Sequence, residues 1–290
     1  MISLIIPCIP EHLESLENIL NDYATGTIKP DETIISLSNT QKMRDNIYID
    51  YLKQKFNKIL PCFNIIQTTE LLNRADNRNK AIEYSNGDLV TFSDADDRVH
   101  KQRIEIIKYF FNNHDIDCLL HSFVLKQCLL NKNKDHCQYC RGREDIYYQN
   151  YECENIKYVN NIDLYEINYP TQSIKPNVKN IIGWIDGRQV HPHHGFSTVR
   201  RKVLDNIKYN SNYPRGQDSL FCQEIVYNKY KTYLIQSPLM IYNNNWVPNI
   251  KDYDEFTDRN GNKILIDMGS RKPPYPAIPR SQIEKNQIRS

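Results

Sequence analysis

Residues 87–103 read Gly-Asp-Leu-Val-Thr-Phe-Ser-Asp-Ala-Asp-Asp-Arg-Val-His-Lys-Gln-Arg and hold the chain's densest set of groups able to do chemistry. Three carboxylates, Asp94, Asp96 and Asp97, follow directly on the run Leu89-Val90-Thr91-Phe92. That run is short, apolar and rich in strand formers, the pattern of a buried strand. Carboxylates gathered at a strand's carboxyl end repel one another and lose hydration. The usual compensation is a divalent cation, and all-oxygen donors suit Mg²⁺ or Mn²⁺. Ligands of open α/β sheets bind at this end of the strands. A plainer reading makes the acidic turn a helix N-cap, with Asp97 in that role. The tetrapeptide alone does not decide; its setting favours the metal site.

Those groups need a frame, and the first half of the chain supplies one. Ile2–Ile6 reads as a buried strand closed by Pro7-Cys8-Ile9-Pro10, and Leu13, Leu16, Ile19 and Leu20 mark a helix. Strands follow at 33–37 and 63–67, with helical periodicity across 40–60 and 71–85. The strand before Asp94 is the fourth, a helix carries Ile104, Ile107 and Phe111, and 118–125 is a fifth strand. Alternation of strand and helix predicts a parallel, doubly wound sheet. From 126 to 192 the helical period is lost, which predicts short antiparallel strands and long loops. Residues 195–199 return to strand character, 217–230 form an amphipathic helix, and 232–236 and 239–242 read as two strands. The polar end with Lys272-Pro273-Pro274-Tyr275-Pro276 reads as a surface-wrapping or disordered tail.

Composition narrows the classes. The chain has 290 residues with a formal net charge of +2, so general nucleic-acid binding does not follow. Cys8, Cys62, Cys118 and Cys222 lie in or beside apolar segments, where free Cys acts as a small hydrophobe. Cys128, Cys137, Cys140 and Cys153, with His136 nearby, could close a structural Zn²⁺ site. Only Cys137 and Cys140 have the Cys-x-x-Cys spacing, and free thiols are the simpler reading. No signal-peptide pattern precedes Ile2, and no apolar run approaches the ~20 residues of a membrane span. The expectation is a soluble intracellular protein.

The sequence resembles glycosyltransferase family 2. The resemblance rests on Ile2–Pro7 ending in Ile-Ile-Pro, Arg78-Asn79-Lys80-Ala81 before Gly87-Asp88, Ser93-Asp94-Ala95-Asp96-Asp97, and Gly216-Gln217-Asp218-Ser219-Leu220-Phe221. These occur in the family's order over roughly residues 1–245. The resemblance implies a GT-A fold: a Rossmann-like, mostly parallel sheet flanked by helices, with an inserted irregular or antiparallel region. It divides the chain into a nucleotide-sugar half (1–125), an insertion and acceptor half (126–246) and a C-terminal extension (247–290). It implies inverting, metal-dependent transfer from a nucleotide-sugar, often a UDP-sugar, to an acceptor hydroxyl. By similarity Asp94 and Asp96 form the DxD motif, with Asp96 on the metal and Asp94 on ribose or metal. Pro7 and Ser38 would line the nucleoside pocket, Arg78 would lie near ribose and diphosphate, and Asp218 would be the general base.

The sequence departs from the family pattern at three places. Ser36-Leu37-Ser38 stands where an acidic pair is common, Gln217 where Glu is usual, and Cys8 where Thr is frequent. One of His191, His193 and His194 is expected to face the transfer cleft as an acceptor, phosphate or metal contact, with a plain polar loop as the alternative. Trp246 is a candidate sugar platform; Tyr147, Tyr148 and Tyr151 are weaker ones, since such aromatics are more often packing. Two other classes stand beside this reading. A nucleotidyltransferase would need a Gly-rich basic loop, and Cys8-Ile9-Pro10-Glu11-His12 is neither. A non-catalytic sugar- or protein-binding module would suit the loss of the acidic pair, but not retention of Asp94, Asp96 and Asp218.

Overall fold

A computed structural model describes residues 1–43, 46–125, 159–167, 183–185, 188–190, 197–212, 217–243, 253–257 and 263–267. The order begins β1 (Ile2–Cys8), α1 (Leu13–Ala24), β2 (Glu32–Leu37), α2 (Ile47–Phe56), β3 (Phe63–Gln67) and α3 (Arg74–Glu83). It continues with β4 (Leu89–Phe92), β5 (Arg98–Val99), α4 (Arg103–Asn113), β6 (Cys118–Leu125) and β7 (Leu164–Glu166). Then come β8 (Gly183–Ile185), β9 (Arg188–Val190), β10 (Ser197–Arg200), α5 (Arg201–Leu204), α6 (Gln217–Tyr227) and β11 (Thr232–Tyr242). The last described strands are β12 (Tyr253–Thr257) and β13 (Lys263–Asp267).

The main sheet runs β3-β2-β1-β4-β10-β6-β11-β5, with β7 also on β11. β1 is parallel to β2 and β4, β2 to β3, and β6 to β11. β10 is antiparallel to both β4 and β6, so the sheet is mostly rather than wholly parallel. Successive β1 side chains serve opposite faces, as the pleat requires. Ile2, Leu4, Ile6 and Cys8 pack with the apolar sides of α1, α2 and α4. Ile5 packs with Ala75 and Ala81 of α3 and Phe221 and Ile225 of α6. Both faces are covered, which is why β1 reads as one apolar run. Each fully buried Ile or Leu contributes about 1.5–3 kcal/mol.

A polar knot ties the lower end of the sheet. Ser3 Oγ donates to Glu32 at 2.5 Å, the Gly87 amide donates to Ser3 Oγ at 2.8 Å, and the Asn86 amide donates to Glu32 at 2.8 Å. Burial alone would raise the Glu32 carboxyl, but the bonds from Ser3 and Asn86 outweigh it and lower it. Gly87 is required by space: a Cβ there would lie 2.7 Å from the Ser3 amide nitrogen and 2.9 Å from the Leu89 carbonyl oxygen.

Three local readings change. The two strands expected at 232–236 and 239–242 are one strand, β11, with register shifts on either side of Pro238. Proline has no N–H for the ladder, and an irregularity absorbs it without ending the strand. Helix across 40–60 is confined to a 3-10 turn at Thr40–Lys42 and to α2. In the expected tail, β12 and β13 pair antiparallel. The chain divides into two compact units, Met1–Lys175 with Ile181–Asn243, and Pro176–Asn180 with Asn244–Ser290. The described residues contain no helix long and apolar enough to cross a membrane.

Candidate active site

β1 lies between β2 and β4, and the chain moves out to β2 and β3 before returning to β4 on the other side of β1. That reversal opens a crevice at the carboxyl ends of β1 and β4, the place where open α/β sheets bind ligands. Pro7, partly buried, sits near the end of β1 and is in register with Ser36 of β2. Just beyond β2, Ser38 is wholly buried, and its amide donates to the Cys8 carbonyl at 3.1 Å. From α3, Asn77 Nδ2 donates to the Cys8 carbonyl at 3.2 Å and to Ser38 Oγ at 3.3 Å. Asn77 Oδ1 and Ser36 Oγ are buried with no hydrogen-bond partner among the described residues.

The acidic residues follow β4. Asp94 Oδ1 accepts from Arg78 Nη2 at 2.7 Å, with the arginine side chain 3 % exposed and the aspartate 25 %. Arg78 also donates to the Arg74 carbonyl one turn back in α3, and its guanidinium lies 5.5 Å from the Tyr209 ring centre. The cation expected near ribose and diphosphate is thus engaged in holding Asp94. Burial pushes the Asp96 carboxyl up, and the Asp94 charge adds to it; His12 and Arg74 oppose the rise. Arg74 is exposed at the first turn of α3.

Asp97 is buried and is not a helix cap. α4 begins six residues later, behind Gln102, which makes no side-chain capping bond. Asp97 Oδ1 instead accepts from the Asn243 amide at 2.9 Å, just past β11, while Oδ2 is buried with no hydrogen-bond partner among the described residues. Burial raises this carboxyl well above the usual range, and the Asp94 charge reinforces it.

Asp218 stands in the first turn of α6, partly buried. Two tyrosines link it to the acidic corner. Tyr242 is raised by burial and then by the charges of Asp94, Asp97, Asp218 and Asp96. Tyr209, wholly enclosed, is raised mainly by burial, with Asp218 and Asp94 both adding to it. Tyr209 stacks on Phe221 at 4.1 Å between ring centres, and both meet Phe92 edge-on. This aromatic cluster packs the end of β4 against α6, one turn from Asp218. Asp94, Asp96, Asp97, Arg78 and Asp218 therefore share one neighbourhood.

Sequence reasoning passed over Arg74, His12, Tyr209 and Tyr242. Arg74 was legible as a second arginine four residues before Arg78; the tyrosines carry no local signal, being brought in by the fold. Among the described residues no three His, Cys, Asp or Glu side chains converge to hold a metal ion. His191, His193, His194, Trp246, Cys128, Cys137, Cys140, Cys153, His136, Tyr147, Tyr148 and Tyr151 lie outside the described residues.

The sheet order and the crevice at its reversal define a GT-A fold, and solved structures agree. S. aureus TarS 1–349 matches with a TM-score of 0.56 at 15% identity, over 83% of this chain and 60% of that one. The same protein in complex with UDP-GlcNAc matches with a TM-score of 0.56 at 16% identity, over 85% of this chain and 59% of that one. The chain thus spans about three fifths of those structures. A relative named as an uncharacterized glycosyltransferase of Methanocaldococcus jannaschii is 27% identical over 241 residues, 83% of this chain and 67% of its own length. The family model for glycosyl transferase family 2 matches residues 3–208. The chain belongs to that family of transferases.

Proposed function

We propose that this chain transfers a sugar, with inversion, from a nucleotide-sugar to an acceptor hydroxyl, using Asp218 as base and a divalent cation at Asp96. The observation that carries the proposal is a chain of contacts: Arg78, bonded to Asp94 at 2.7 Å, lies 5.5 Å from the Tyr209 ring, which stacks at 4.1 Å on Phe221, one turn after Asp218 in α6. Inversion needs a base on one side of the anomeric carbon and leaving-group stabilisation on the other. Two acidic groups in one crevice, on different elements, meet that need.

The donor set fits a hard cation. It is all oxygen, and the Asp96 carboxyl is disfavoured as an anion by burial and by Asp94, so a nearby positive charge would relieve it. Too few protein groups converge to enclose an ion among the described residues. That suits Mg²⁺ or Mn²⁺, which is commonly held by one or two carboxylates with substrate phosphates completing the shell. Bound there, the cation would supply Lewis-acid stabilisation of the departing diphosphate. Arg78 holds Asp94 in place, and exposed Arg74 is the cation that can meet the phosphates. Pro7 and the Ser36–Ser38 segment border the nucleoside, with a UDP-sugar as the first donor to test. Asp218 accepts the acceptor's proton as the oxygen attacks.

Isothermal titration of the full chain with UDP and Mn²⁺, and turnover of UDP-sugars, test this. Asp96→Asn is expected to lose Mn²⁺-dependent UDP binding. Asp218→Asn is expected to keep binding while kcat falls by about 10²–10⁴-fold. Full turnover in either variant would refute the assignment.

A further inference from the structure

Arg103 is the largest fully buried side chain of the described residues, at 0 % exposure, and opens α4. Its contacts reach three other elements and the residue after β4. Nε donates to His121 Nε2 on β6 at 2.9 Å. Nη1 donates to Tyr23 Oη on α1 and to Ser93 Oγ, the latter at 3.3 Å. Nη2 donates to the Phe92 carbonyl, the last of β4, at 2.9 Å. Tyr23 and Ser93 are themselves joined at 2.6 Å. Because His121 Nε2 accepts, its proton sits on Nδ1, which donates to the Ser122 carbonyl at 2.9 Å. Burial, and then the Arg103 charge, hold His121 well below the ordinary range, so it is neutral.

The hydrogen-bond partners named here are neutral, the Asp97 charge also acts on Arg103, and a buried guanidinium is costly. Its position is what it offers. Phe92 and Ser93 immediately precede Asp94, so the rigid fork grips the last two residues before the acidic corner from the α1 and α4 side. Arg78 holds Asp94 itself from α3. The Ser93 amide adds a bond to the Ile5 carbonyl at 3.0 Å, fastening the same point to β1.

We infer that Arg103 is a positioning residue for the acidic corner: by fixing the end of β4 it sets where Asp94 and Asp96 point, and hence how well they hold a cation. This rests on the function proposed above. A leucine or methionine could fill the volume at less cost in desolvation, but neither could fix Phe92, Ser93, Tyr23 and His121 together. A lysine keeps the charge and loses the fork.

The experiment measures Mn²⁺ binding in the presence of UDP, by titration calorimetry and by electron spin resonance of free Mn²⁺, in the full chain. Arg103→Met is expected to weaken Mn²⁺ binding by about 10–100-fold, the range for groups that support metal ligands from behind. Arg103→Lys should fall between wild type and Arg103→Met. Tyr23→Phe keeps the packing and removes one hydroxyl; about fivefold weaker binding is expected, the share of one neutral hydrogen bond. If Arg103→Met does not fold, Tyr23→Phe and Arg103→Lys decide. Variants that melt lower yet bind Mn²⁺ and UDP like wild type would show Arg103 to be structural only and overturn this inference alone. Wild-type protein that binds neither probe would overturn the proposed function, and this inference with it.

Discussion

Replacing Arg78 by Met removes a cation bonded to Asp94 and leaves the volume nearly filled. The lost bond is charge-assisted and short, at 2.7 Å, which puts its removal at about 1.5–3 kcal/mol. The ring contact with Tyr209 at 5.5 Å adds about 0.5–1 kcal/mol. Breaking a wholly buried pair costs about 3–5 kcal/mol, because the stranded charge finds no water. Asp94 is 25 % exposed, so it recovers part of its hydration and the expected loss is smaller, about 2–3 kcal/mol. For a domain of this size that lowers the melting temperature by about 5–10 °C. The assay is thermal unfolding followed by circular dichroism, with Asp94→Ala and the double variant completing a mutant cycle. A coupling of about 1–3 kcal/mol is expected. Arg78→Lys should recover part of the loss, since one ammonium cannot serve both Asp94 and the Arg74 carbonyl. A melting point unchanged in Arg78→Met, or a cycle with no coupling, would refute the claim that this pair holds the corner.

Other variants probe the frame. Gly87→Ala drives a Cβ against the Ser3 backbone, which cannot yield, and should cost about 3 kcal/mol in a urea melt. Glu17 is lowered to about 2 by hydrogen bonds from Lys55 and then Tyr48. A lowered carboxyl stabilises the fold above its unfolded value and stops doing so as pH falls through the folded one. Glu17→Gln should therefore be less stable than wild type by about 1 kcal/mol at pH 7, at a partly exposed site, with the gap closing between about pH 4.5 and 2. Glu224 shows the opposite sign, its carboxyl raised to about 7 by burial. Its ionisation costs stability as pH rises through that value, so Glu224→Gln should melt with wild type at pH 4.5 and above it at pH 8, by about 1–2 kcal/mol.

The parts of this fold that could be read from sequence are those whose cause is local. β3 and β6 match their sequence-derived bounds, because apolar runs between turns are a local signal. The order of the first four strands and helices follows from alternation alone. What escaped depends on partners far along the chain. β10 enters the sheet between β4 and β6 from far beyond the end of β6 in the chain, and nothing in Ser197–Arg200 announces antiparallel pairing there. Asp97 looks like a cap until Asn243, 146 residues away, is seen to bond it. Arg103 stands in a polar stretch beside Lys101 and Gln102, which hides its burial. One signal was available: Arg103 shares the stripe of Ile107 and Phe110 at helical spacing, so a charge stood on the apolar face.

The acidic corner makes sense as a charge balance in which each aspartate has a different neighbour. Asp94 is taken by Arg78 at 2.7 Å. Asp97 takes the Asn243 amide and feels the buried Arg103 charge, which pulls it down against burial and its acidic neighbours. Asp96 is left with the longer-range pull of His12 and Arg74 against burial and Asp94. Arg78 and Arg103 each answer one of the other two carboxylates, which leaves Asp96 the least compensated of the three. A hard cation brought with a diphosphate would meet that deficit most directly at Asp96. Asp96→Asn should then weaken Mn²⁺ binding more than Asp97→Asn does, even though Asp97 is the more deeply buried of the two. Equal losses in the two variants would mean that burial, and not the uneven sharing of the two arginines, decides which carboxylate serves the ion.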